Sequence, residues 1–137
     1  MEAIIVILIA GILAAFMAPR LDLTGFRETG FVQQATAAIR YAQKRAVTTG
    51  CHVNVSISSS GCNISWTGFP PGLGCTAGSI VNPSTGSNEF CNRATAPAGT
   101  AVSSFTFDNI GRPGSTQTIV LGSRTLTVEA ETGYVHE

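Results

Sequence analysis

Residues 31–66 read FVQQATAAIRYAQKRAVTTGCHVNVSISSSGCNISW, and the hydrophobic period changes inside them. Phe31, Ala35, Ala38, Ile39, Ala42 and Ala46 recur at spacings of three and four. Gln33, Gln34, Arg40, Lys44 and Arg45 fill much of the other face. That spacing predicts an amphipathic helix, and Gly50 is a natural residue to follow its C-terminus. From Cys51 the period becomes two. Cys51, Val53, Val55 and Ile57 alternate with His52, Asn54, Ser56 and Ser58. Ser59-Ser60-Gly61 is turn chemistry, and Cys62, Ile64 and Trp66 alternate again, so the two runs predict a β-hairpin.

Toward the C-terminus, residues 68–104 are rich in Gly, Pro, Ser and Asn. They predict a long, loop-dominated connection and an exposed, variable surface. Short strands are expected at Ser104–Phe107, Gln117–Leu121, Arg124–Glu129 and Tyr134–His136. Gly111-Arg112-Pro113-Gly114, Gly122-Ser123 and Thr132-Gly133 punctuate them. No internal repeat is visible.

Toward the N-terminus, residues 1–18 hold 16 of the chain's 60 hydrophobic residues, with Gly11 the only break after Glu2. Such a run spans roughly 25 Å as a helix, just under the hydrocarbon thickness of a bilayer. A secretory signal peptide is one reading, but Met1-Glu2 is acidic where a basic n-region belongs. A buried core helix fits less well, because every face of the run is apolar. Pro19 marks a break or kink, and Gly25 and Gly30 weaken the stretch that follows.

The 137 residues suit one domain of ordinary size. Eight basic and eight acidic side chains cancel, and charged residues are only 12% of the chain. This excludes a basic nucleic-acid coat, an acidic tail protein and a disordered chain. The cancellation hides a split: residues 1–50 carry five basic and three acidic groups, and residues 51–137 carry three and five.

Cys51, Cys62, Cys75 and Cys91 show no C-x-x-C pair, so a tetrahedral zinc site is disfavoured and no metal or other cofactor is expected. Two disulfides in an oxidising compartment are expected instead, each contributing about 2–4 kcal/mol. If the hairpin turn centres near Ser59, Cys62 lies opposite about residue 56 and Cys51 lies at the far end of the ribbon. That favours Cys51–Cys75 and Cys62–Cys91. Sequential pairing stays open if the turn lies elsewhere.

No nucleophile elbow, zinc-protease motif, P-loop or dinucleotide fingerprint occurs. His52 reads as a solvated strand position, and His136, the penultimate residue, as a fraying end. Asp108 reads as turn chemistry rather than a catalytic acid. No catalytic set and no small-molecule substrate are expected. Asn54-Val55-Ser56 and Asn63-Ile64-Ser65 match the N-glycosylation sequon, which matters only in a eukaryotic secretory pathway.

Glu2, Gly11 and Pro19 share one register in EAIIVILIAGILAAFMAPR, residues 2–20. This segment closely resembles the N-terminal helix of type IV pilins and type II secretion pseudopilins. In that family the glutamate is the fifth mature residue. The resemblance therefore implies that the first mature residues, and a leader cut by prepilin peptidase, lie upstream of Met1. The run Ser-Phe-Thr-Phe-Asp-Asn-Ile-Gly-Arg-Pro and the closing Thr-Gly-Tyr-Val are similar to the GspH/FimT group of minor pilins and pseudopilins. That group includes minor subunits of mannose-sensitive haemagglutinin-type pili.

The resemblance implies an α+β, pilin-like fold: a long N-terminal α-helix packed on a C-terminal antiparallel β domain. Residues 1–19 would be a transmembrane and filament-core helix, residues 20–50 its amphipathic continuation, and residues 51–137 a periplasmic β domain. The chain would sit in the inner membrane by a single pass and then join a pilus or pseudopilus. Its partners would be other pilin or pseudopilin subunits. A lone carboxylate beside an apolar helix must be paired, and the resemblance implies that Glu2 meets the terminal amine of a neighbouring subunit. Ala10, Ala14 and Ala18, with Gly11 and Ala15, form small-residue rows that allow close helix approach. Some members of the group bind DNA through a basic C-terminal segment. Here Arg112 and Arg124 are the only cations after Arg93, and Glu129, Glu131 and Glu137 surround the end. That charge opposes phosphate binding.

Overall fold

The structure is a computed structural model that describes residues 2–17 and 23–137, with side chains described at 3–14 and 25–137. Its order is α1 (Glu2–Met17), α2 (Leu23–Thr49), β1 (Val53–Ser58), β2 (Gly61–Trp66), β3 (Gly78–Ser79), β4 (Glu89–Cys91), a 3₁₀ turn (Arg93–Thr95), β5 (Ser103–Phe107), β6 (Gln117–Leu121), β7 (Arg124–Val128) and β8 (Val135–His136). The α+β class holds.

The expected long N-terminal helix does not. The described residues form two separate helices, and only α2 packs on the β domain. The physical reason lies in the side chains. α1 is apolar on every face and has no stripe that a single surface can cover, and its large aliphatic side chains are exposed. Pro19, which lies outside the described residues with Arg20, brings no N–H to a helical ladder.

The expected membrane span is also corrected. No helix among the described residues is long and apolar enough to cross a membrane. The 16 residues of α1 reach about 24 Å at the helical rise, against about 30 Å of hydrocarbon. Single-pass placement in an inner membrane with a periplasmic domain beyond it is therefore not supported.

α2 follows the predicted period. Phe31, Ala35, Ala38, Ile39, Ala42 and Ala46 are all buried. The alanines keep the helix close to the sheet, and Phe31 and Ile39 supply most of the apolar volume; each such large side chain contributes about 1.5–3 kcal/mol when fully buried. The helix stops where expected. Gly50 adopts φ +70°, and its N–H donates to the Ala46 carbonyl at 2.9 Å, which is the αL cap. It starts eight residues before the apolar stripe, so Gly25 and Gly30 lie inside it.

The strands divide into two antiparallel sheets. One has the order β3-β2-β1-β5, with β4 also paired to β2, and the other has the order β6-β7-β8. The hairpin pairs Val53 with Trp66 and Ile57 with Cys62, leaving Ser59 and Ser60 as the turn. Cys62 therefore lies one residue from its expected opposite. Val53, Val55, Ile57, Ile64 and Phe107 from the first sheet meet Ile119, Leu121, Leu126, Val128 and Val135 from the second in one core under α2.

The connection 68–104 is more structured than its composition predicts. β3 and β4 are two and three residues long, too short to show alternation, and exist by pairing to the edge of β2. Arg45 closes one border of the core, with its guanidinium 5.3 Å from the Trp66 ring centroid.

Candidate assembly surface

On α1, Ile4, Ile7, Leu8 and Leu13 are 65%, 73%, 60% and 58% exposed. At 100° per residue Ile4, Ile7 and Leu8 lie within about 100° of one another on one side of the helix, and Leu13 lies on the opposite side. Ile5, Val6, Ile9 and Ile12 fill the remaining directions and are exposed as well. Gly11 sits among them in open space: a Cβ there would meet nothing within 4 Å. Glu2 belongs to α1, but its side chain lies outside the described residues, as does Pro19 altogether. The three expected assembly residues are thus not gathered into one described site.

The β domain is closed over itself by polar side chains of α2. Glu28 accepts hydrogen bonds from the Ser123 N–H at 2.7 Å and the Ser123 hydroxyl at 2.6 Å, holding the β6–β7 turn. These bonds, with Arg124 adding attraction, hold its carboxyl below the usual glutamate value. Gln34 accepts from the Asn92 N–H at 2.7 Å. Gln43 donates to the Gly111 and Thr132 carbonyls at 3.1 and 2.7 Å, joining two C-terminal turns. Gly133 must be glycine there: its φ is +65°, and a Cβ would collide with Gly111 and Gln43. The sequence pattern puts Gln34 on the face opposite the apolar stripe and says nothing of Gln43, so these clamps were missed. The available signal was the recurrence of Gly-containing turns that need something to hold them.

Two disulfides staple the domain. Cys51–Cys75 has a Cα separation of 5.7 Å, and Cys62–Cys91 one of 4.9 Å. These are the pairs that the hairpin geometry favours over sequential pairing, despite the one-residue difference in register.

Asp108, His52 and His136 each make a structural contact. Asp108 accepts from the Ile110 and Arg112 N–H groups at 3.0 and 2.7 Å, so it shapes a turn. His52 is half-buried rather than fully solvated, with its ring 4.9 Å from that of Phe69. His136 does not fray. It lies in β8, and its Nε2 donates to Glu129 Oε1 at 2.9 Å, which raises its pKa. Arg124 pairs with Glu137 at 2.9 Å, and Arg112 lies 3.8 Å from Glu131. Both cations after Arg93 thus face carboxylates. An open groove of about 480 Å³ between α2 and β8 is lined by Ala37, Arg40, Tyr134 and His136 among others. No group of three metal-ligating side chains occurs among the described residues. Comparison with family models, curated proteins and solved structures finds no match.

Proposed function

We propose that this chain is a minor pilin, a non-enzymatic structural subunit that helps to assemble or initiate a type IV pilus. One observation carries the reading: a helix apolar on every face stands exposed beside a domain whose own core is already closed. A surface of that kind gains by burial on all sides at once, which several neighbouring helices provide and one flat partner does not. Each large aliphatic side chain removed from water adds about 1.5–3 kcal/mol to that association. The register of Glu2, Gly11 and Pro19 supports the family. In this reading Glu2 pairs with the terminal amine of the next subunit, Gly11 admits a neighbouring helix closely, and the partners are other pilin subunits.

The test is incorporation of the chain into filaments, followed by immunogold labelling. The native chain is expected to enter filaments, and Glu2→Ala to be excluded while its β domain stays folded. Normal entry of the Glu2→Ala chain overturns the role of Glu2. Absence of the native chain from every filament overturns the reading.

A further inference from the structure

The two cystines differ in access, chiefly at Cys75. Cys62 and Cys91 are directly opposite each other in the β2–β4 ladder, are 0% and 2% exposed, and belong to the hydrophobic core. Cys51 and Cys75 do not join that cluster; Cys51 is buried at 9% exposure and Cys75 is half-buried, and both line an open groove of about 290 Å³ with Thr49, Trp66, Leu73 and Gly74. What the outer cystine holds is also different. The His52 N–H donates to the Phe69 carbonyl at 2.8 Å, and the Thr67 N–H to the His52 carbonyl at 3.2 Å, so the hairpin end is fastened without it. From Pro70 to Thr76 no backbone hydrogen bond ties the chain to the rest of the domain. Residues 71–74 are exposed, Leu73 at 63%. Cys75 is the covalent tether of that segment.

We propose that Cys51–Cys75 is a redox-sensitive latch on the Pro70–Thr76 segment, opened in the folded domain by a dithiol while Cys62–Cys91 stays oxidised. Thiol–disulfide exchange needs a thiolate in line with a sulfur, so access decides which cystine reacts. A thiolate of the dithiol attacks Cys75 Sγ. The cystine bond breaks, and Cys51 leaves as a thiolate that takes a proton from water. The second thiol of the reagent, losing its proton, attacks its own sulfur in the mixed disulfide and releases Cys75 as a thiolate, which is protonated in turn. The reagent ends as a cyclic disulfide, having given two electrons to the protein. The freed segment then leaves the groove beside Trp66, while the β2–β4 pairing and the core remain.

The experiment treats the full chain with stepped dithiothreitol under native conditions, quenches with iodoacetamide and maps the modified peptides. Cys51 and Cys75 are expected to be alkylated at least about tenfold faster than Cys62 and Cys91. Equal rates, faster reaction at Cys62 and Cys91, or no reaction before the domain unfolds overturn the latch. A second reading uses the paired variant Cys51→Ser, Cys75→Ser. It is expected to unfold cooperatively and to be cut by thermolysin at Gly72–Leu73 faster than the oxidised native chain. Unchanged cleavage, or loss of cooperative unfolding, overturns the claim that this cystine holds the segment rather than the fold.

Discussion

α1 and α2 use the same backbone and opposite side-chain logic. α2 alternates small apolar and polar residues, buries Phe31 and Ile39 completely, and turns Glu28, Gln34 and Gln43 onto neighbouring turns. α1 has a richer apolar content, yet its large aliphatic side chains stay exposed. Burial follows from arrangement more than from amount. A stripe needs one surface, whereas an apolar cylinder needs several.

The comparison breaks most visibly in a pair of substitutions. Phe31→Ala in α2 is expected to cost about 3–5 kcal/mol in chemical denaturation. Ile7→Ala in α1 is expected to change the same measurement by less than about 0.5 kcal/mol. A large loss from Ile7→Ala would show that α1 is part of the folded core.

The clamps of α2 sharpen the contrast at a smaller scale. Gly133→Ala forces a left-handed residue against Gln43 and Gly111, with an expected cost of about 1–3 kcal/mol by the same method. Gly30→Ala is expected to do the reverse. Gly30 is helical and a Cβ there meets nothing within 4 Å, so alanine should stabilise by about 0.5–1 kcal/mol.

The smallest effects are those of pH. The Glu28 carboxyl is held below its ordinary value of 4.5 by Ser123. Its contribution is complete above that value and is lost as pH falls through the lowered folded value. Glu28→Gln should therefore flatten the acid limb of a melting-temperature profile. His136 is raised above 6.5 by Glu129. Its contribution is complete below that value and fades as pH rises through the raised one, so His136→Gln should flatten the profile on that side.

Much of the β domain was readable because alternation is local. The stripe from Phe31 to Ala46, the hairpin and the four C-terminal strands follow from residues a few positions apart. β3 and β4 were not readable, since their shape comes from the edge of β2. The expected strand end at Glu129 fell one residue short because the Glu129 N–H turns to the Tyr134 carbonyl at the start of the last turn. Glu28 and Ser123 lie 95 positions apart, and nothing local marks one as the other's partner. Gly11 lies in open space, where a Cβ would meet nothing within 4 Å, and no contact within the described residues assigns it a role.

The most direct test is sedimentation of the full chain beside a variant carrying Val6→Ser, Ile7→Ser and Ile12→Ser, which places a polar residue on each side of α1. The account predicts that the native chain associates at micromolar concentration, while the variant stays monomeric with an unchanged denaturation midpoint. A native chain that remains monomeric, or a variant that associates equally well, would contradict it.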